Sequence, residues 1–167
     1  MNIGQEGGGN TKSFVQAKKV SFDFDRYRKE KREIYLDSLK LNVPIIQSVK
    51  EKIKQLSKTY KLALVSSSDK EFIDLILDKT ELKKYFSIVV GGDEVKEEKP
   101  SPEGFLLAAK KMEVEPKECI VLEDAEKGII AAKAAKMKVI AIPNKYTANN
   151  NFSKADLIAK NINEVEI

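Results

Sequence analysis

Leu62-Ala63-Leu64-Val65-Ser66-Ser67-Ser68 is a four-residue apolar run that stops at three hydroxyls. Residues Asp69 to Lys79 follow it, with Phe72, Ile73, Ile76 and Leu77 at the spacing of one helix face. A short unbroken apolar run bounded by turn signals and joined to helices reads as a buried strand. The pattern repeats down the chain. Phe86 to Val90 is a second strand, ended by Gly91-Gly92. Ser101 reads as the N-cap of a helix with Pro102 at its first position and Phe105 to Met112 as its body. Cys119 to Leu122 is a third strand, Glu126 to Lys136 an Ala-rich helix, and Val139 to Ile142 a fourth strand closed by Pro143. Alternation of this kind predicts an α/β fold with a parallel sheet covered on both faces.

Upstream, the spacing predicts two helices. Ser21 reads as the N-cap of a charged helix running to about Lys40, with Asp23 and Asp25 in the first turn, where acids favour the helix dipole. After Pro44, Ile45 to Thr59 places Ile45, Val49, Ile53 and Leu56 on one face. Residues 1–12, which hold four of the eight glycines, read as irregular, and the segment from Ala155 to Ile167 is too short to assign.

Composition excludes several chemistries. The 167 residues contain no histidine, which removes Ser-His-Asp triads, Cys-His dyads and His-based zinc sites. The one cysteine, Cys119, lies in an apolar run and reads as a buried small hydrophobe; a reduced, cytoplasmic setting is expected. The net charge of +4 comes from interspersed signs, as in Lys50-Glu51-Lys52-Ile53-Lys54, so no nucleic-acid footprint is expected. No stretch reaches the apolar length of a membrane span.

In open parallel sheets ligands bind at the carboxyl ends of strands. There the sequence places Ser66 and Ser67 after the first strand, Lys99 in the loop after the second, and Glu123 and Asp124 after the third. A hydroxyl, a cation and two carboxylates on one edge suit a phosphorylated ligand and a divalent metal. Plainer readings exist for each: Ser66 to Ser68 as a helix cap, Lys99 as a surface lysine, Glu123-Asp124 as first-turn acids. Convergence favours the functional one, with Ser66, Lys99 and Asp124 close together and the latter two partly buried.

These residues carry a resemblance. Val65-Ser66-Ser67-Ser68, Lys99-Pro100-Ser101-Pro102-Glu103-Gly104-Phe105 and Val121-Leu122-Glu123-Asp124-Ala125-Glu126-Lys127-Gly128-Ile129 resemble the second, third and fourth motifs of the haloacid dehalogenase-like superfamily, nearest its β-phosphoglucomutase-like phosphatase branch. The resemblance implies a Rossmann-like core, with residues 44–167 holding these motifs and residues 1–43 a partial helical cap. It implies that Ser66, with Ser67, binds the transferring phosphoryl group, that Lys99 stabilises its charge, and that Asp124, assisted by Glu123, holds Mg²⁺. The implied function is phosphoric-ester hydrolysis or phosphosugar mutation on a small phosphorylated metabolite, a sugar phosphate among the candidates. The alternative is a non-catalytic phosphate-binding or regulatory module of the same fold. Two departures stand out. Lys136 occupies a position where the family usually has Gly, implying a less sharply turned helix end, and Ala125 one where Ser is frequent.

The larger departure is the family's first motif, a strand ending Asp-x-Asp-Gly-Thr whose first Asp is the nucleophile and whose second is the general acid/base. Phe22-Asp23-Phe24-Asp25 is followed here by Arg26-Tyr27-Arg28, and both acids are expected in or beside a helix instead. The resemblance therefore implies a core lacking its first, central strand, which lies between the strands carrying Ser66 and Glu123. Such a chain is expected to need an N-terminal Asp-x-Asp segment, or to self-associate through open sheet edges.

Overall fold

The computed structural model describes residues 23–167, which fall into two units divided after Asn42. In the first, helix α1 spans Phe24–Leu41. Its N-cap is Asp23, whose Oδ1 accepts from the amides of Asp25 and Arg26 at 3.1 and 2.9 Å. The helix therefore starts later than expected. Ser21, given the cap role by sequence, lies outside the described residues, as does any strand over Val20 to Phe22. Asp23 and Asp25 do sit at a helix start, where a carboxylate satisfies amides that have no partner within the helix.

The second unit, from Val43 on, opens with α2 (Gln47–Leu56) and then alternates β1 (Ala63–Val65), α3 (Lys70–Lys79), β2 (Ile88–Val90), α4 (Glu103–Met112), β3 (Ile120–Glu123), α5 (Glu126–Ala134), β4 (Lys138–Ala141) and β5 (Leu157–Ile158). All strand pairs are parallel. Among the described residues they form two sheets, β1-β2 and β3-β4-β5, and not the single sheet expected. The β5 pairing was unassigned by sequence because two residues carry no period; its register against Ile140 and Ala141 is set by β4. Pro102 takes the N-cap of α4 and not its first helical position, one residue later than expected.

Small residues on α5 let it lie close on β3 and β4. Ala131, Ala132 and Ala135 join Ile129, Val121, Val139, Ala141 and Phe105 in one dry cluster. A second cluster centres on Ile73, Leu77 and Leu82 beside β1 and β2. Cys119 is partly buried and not fully buried as expected; it packs against the first cluster, and desolvation pushes its thiol up from the ordinary range. The end of α5 differs from expectation. Lys136 adopts φ 61°, so the sharp left-handed turn is kept without glycine, at some conformational cost. No helix among the described residues is long and apolar enough to cross a membrane.

Candidate active site

The carboxyl ends of β1 and β3 face one groove of about 780 Å³, lined by Ser66, Ser67, Lys99, Glu123 and Asp124 together with apolar side chains of both strands. The five residues singled out by sequence therefore share one site. Lys99 is its centre. Its ammonium donates to the Val65 carbonyl at 3.2 Å and to Glu123 Oε1, and lies 4.7 Å from the centroid of the Phe105 ring. The Lys99 and Glu123 side chains are only 14% and 10% exposed. A charge so enclosed is tolerable only when paired and hydrogen-bonded, and both conditions are met.

The loop that delivers Lys99 is fastened along its length. Glu94 accepts from the Gly91 amide at 2.9 Å and from Lys111 at 2.7 Å; the lysine contact, then the amide, hold its carboxyl below the usual carboxylate range. Asp93 accepts from the Lys70 amide at 2.8 Å. Glu103 spans the amides of Lys96 and Glu97, both at 3.0 Å, and these hydrogen bonds depress its pKa too. Gly92 lies against the first loop: a Cβ there would sit 2.5 Å from the Ser67 carbonyl oxygen.

Glu123 has a second use. Its Oε2 accepts from the amides of Asp124 and Ala125 at 3.0 and 3.4 Å, which fixes the turn into α5. Gly128, one turn into that helix, leaves the space the carboxylate fills; a Cβ at 128 would overlap it. Asp124 differs from expectation in being exposed and not partly buried, because the turn directs it to the rim. Its Oδ2 accepts from Asn144 Nδ2 at 2.7 Å. Ser66 is half-buried, and its hydroxyl oxygen accepts from the Ser68 amide at 3.1 Å, leaving its proton available to a ligand.

Among the described residues no cluster of three Cys, Asp or Glu side chains could hold a metal. Glu123 is committed to Lys99 and to backbone amides. Asp124 keeps Oδ1 clear of hydrogen bonds among the described residues. Mg²⁺ is commonly held by one or two carboxylates plus substrate phosphates, and an exposed Asp124 at a strand end fits that mode.

Sequence reasoning missed Phe105, Gly128 and Asn144. Phe105 and Gly128 lie inside the quoted motifs, but as an apolar residue and a glycine they gave no chemical signal. Asn144, in the turn after β4, is 20 residues from Asp124 and had no signal at all.

A sequence model of the haloacid dehalogenase-like hydrolases matches residues 3–142. A phosphorylated-carbohydrates phosphatase of Thermotoga maritima is 38% identical over 110 residues, covering 66% of this chain and 50% of the relative. The bifunctional riboflavin kinase/FMN phosphatase of Arabidopsis thaliana is 34% identical over 136 residues, 74% of this chain and 36% of the relative. The crystal structure of a β-phosphoglucomutase from Clostridium difficile superimposes with a TM-score of 0.77 at 28% identity, covering 92% of this chain and 69% of that one. The chain spans half or less of the length of these two curated relatives.

Proposed function

Because the chain belongs to the haloacid dehalogenase-like hydrolases, we propose that it supplies the phosphate- and metal-binding part of a phosphoric-ester hydrolase or phosphosugar mutase. Its substrate is a small phosphorylated metabolite such as a sugar phosphate, and its setting is the cytoplasm. The observation that carries this reading is the meeting of Ser66, Lys99 and Asp124 on one groove at the ends of two strands. The names of the Thermotoga and Clostridium relatives support the substrate class.

Ser66 donates its hydroxyl proton to a phosphoryl oxygen. Lys99 has three N–H donors, of which Val65 and Glu123 take two; the third is left for the anion. Glu123 positions Lys99 and holds the turn that presents Asp124. Asp124 would hold Mg²⁺, which would offset phosphoryl charge as it transfers. Residues 1–43 act as part of a cap.

With Glu123 committed to Lys99 and a backbone amide and Asp124 assigned to Mg²⁺, no nucleophile is left at the groove among the described residues on this reading. Ser66 has no base beside it, and the chain has no histidine. Asp23 is engaged as a helix cap. As the family resemblance implies, we assign the attacking carboxylate to an Asp-x-Asp segment outside the described residues. The test is Mg²⁺-dependent hydrolysis of small phosphate esters by the 167-residue chain, alone and fused to an N-terminal Asp-x-Asp-Gly-Thr strand. The expected result is little or no turnover alone, turnover in the fusion, and its loss in the fusion carrying Asp124→Ala. Turnover by the chain alone, lost in Asp124→Ala, would return the nucleophile to Asp23. Phosphate binding without turnover in the fusion would leave a binding or regulatory module.

A further inference from the structure

Asp124 is exposed, and an exposed carboxylate rotates unless something holds it. Asn144, in the turn after β4, does so: its Nδ2 donates to Asp124 Oδ2 at 2.7 Å. The orientation of that carboxamide is fixed by its other end. The Tyr146 amide, which can only donate, bonds Asn144 Oδ1 at 2.8 Å, so the NH₂ group must face Asp124. Two more bonds close the turn. The Asn144 amide donates to Thr147 Oγ1 and the Thr147 amide donates to the Asn144 carbonyl, both at 3.1 Å. An Asn that bonds its own backbone two residues on shapes a turn and is itself held by it.

The same loop is fastened again further on. Asn150 Oδ1 accepts from the Glu126 amide at 3.0 Å, and the Asn151 amide donates to Glu126 Oε2 at 3.2 Å. Asp124 and Glu126 flank Ala125 at the start of α5, so one loop grips the turn on both sides, and Asn144 is its member on the Asp124 carboxylate. The result is an asymmetric carboxylate. Oδ2 is taken, while Oδ1 has no hydrogen-bond partner among the described residues. A cation reaching Asp124 meets one oxygen of the pair. Mg²⁺ demands a compact, near-octahedral set of ligands, whereas Ca²⁺ builds a larger and looser oxygen shell and accepts both oxygens of one carboxylate. A held Oδ2 suits the smaller ion and denies the larger one its two-oxygen mode.

We propose that Asn144 is a positioning residue that sets the cation preference of this site: by occupying Oδ2 it confines Asp124 to one-oxygen coordination and favours Mg²⁺ over Ca²⁺. The inference rests on the assignment of Asp124 to the metal and adds to it the group that selects the ion. Outer-shell partners orient a metal ligand before the ion arrives, and their loss commonly weakens binding by about ten- to a hundredfold. For Asp124 the loss falls on Mg²⁺, because Ca²⁺ regains the freed oxygen.

The test is titration of the isotope-labelled 167-residue chain with magnesium chloride and, separately, calcium chloride, following the NMR shifts of the Ala125 and Glu126 amides. Asp124→Ala is expected to abolish the saturable shift for both ions. Asn144→Ala is expected to weaken Mg²⁺ about tenfold and to leave Ca²⁺ affinity equal or higher, so that the preference collapses. Asn150→Ala, which frees the same loop from Glu126, is expected to lower the melting temperature and to leave the preference unchanged. An unchanged preference in Asn144→Ala, or the same collapse in Asn150→Ala, would overturn the proposal while the metal assignment stands. A saturable shift that survives Asp124→Ala, or none in the parent chain, would overturn that assignment and the proposal with it.

Discussion

The β3-β4-β5 sheet and the β1-β2 pair are made of similar apolar runs, yet they end in different states. Val139 and Ala141 are sealed by a neighbour on each edge and by α5 above, while Ala63, Leu64 and Val65, among the described residues, have β2 on one edge only and stay half-buried. Sequence hydrophobicity sets what a strand can bury; the number of paired edges decides how much it does. The candidate site lies where the two sheets face each other, so its best-held groups hang from the side chains that bridge them, chiefly Lys99 on Val65 and Glu123.

The contrast can be broken most forcefully by truncation. Ile129→Ala, in the sealed cluster at 0% exposure, is expected to cost about 3 kcal/mol, as large-to-small changes in full cores do. Leu64→Ala in half-buried β1 is expected to cost about half that, since less surface is removed from a dry environment. Urea unfolding of both variants checks this, and equal losses would mean that β1 is as enclosed as the core.

A smaller effect is expected at the bridge. Gly128→Ala places a methyl where the Glu123 carboxylate lies, at a cost of about 1–3 kcal/mol, and it displaces Glu123 from Lys99. Phosphate affinity should fall along with stability in this variant. An Ala131→Gly change on the same helix should reduce stability and leave phosphate affinity alone. The pair separates positioning of Lys99 from general damage to α5.

Two substitutions should sharpen the sealed side. Lys136→Gly relieves a non-glycine residue at φ 61° and is expected to gain up to about 1 kcal/mol. Ala125→Ser supplies a hydroxyl to α5, whose N-cap makes no side-chain hydrogen bond, and is expected to gain about 0.5–1 kcal/mol. Thermal melts would record each as a rise of a few degrees or less.

The smallest effect is in acid. Asp156 accepts from Lys133 at 2.8 Å and from the Val139 amide at 2.7 Å, and these contacts hold its folded pKa below the ordinary value. A depressed folded value adds stability above the unfolded pKa and loses it as pH falls through the folded one. Melting temperature should therefore drop below about pH 4. Asp156→Asn should be less stable at neutral pH and less sensitive to that fall.

Much of this was legible because the strands are four- to five-residue apolar runs ended by hydroxyls, glycines or acids, and site residues in parallel sheets follow such ends. The placement of Ser66, Lys99, Glu123 and Asp124 at one groove was legible that way. Other features depend on contacts distant in sequence. That Glu123 serves Lys99 depends on a contact across 24 residues, and the exposure of Asp124 depends on how the turn is tied. The cap of α1 was misplaced from Asp23 to Ser21 because both residues are good caps and the sequence offers no way to choose. The turn at Lys136 was expected to relax without glycine, but packing of Ala135 and Met137 into the core holds it.

Among the described residues, β1 and β3 each have a paired neighbour on one edge only. Residue-resolved amide hydrogen exchange of the chain alone tests it most directly. The amides of Ala63, Val65, Ile120 and Leu122 are expected to exchange at near-unprotected rates, while those of Leu64, Val121 and Ile140, which face paired neighbours, exchange far more slowly. Strong protection of the first four without any added segment would mean that the sheet is already continuous, and would contradict the account.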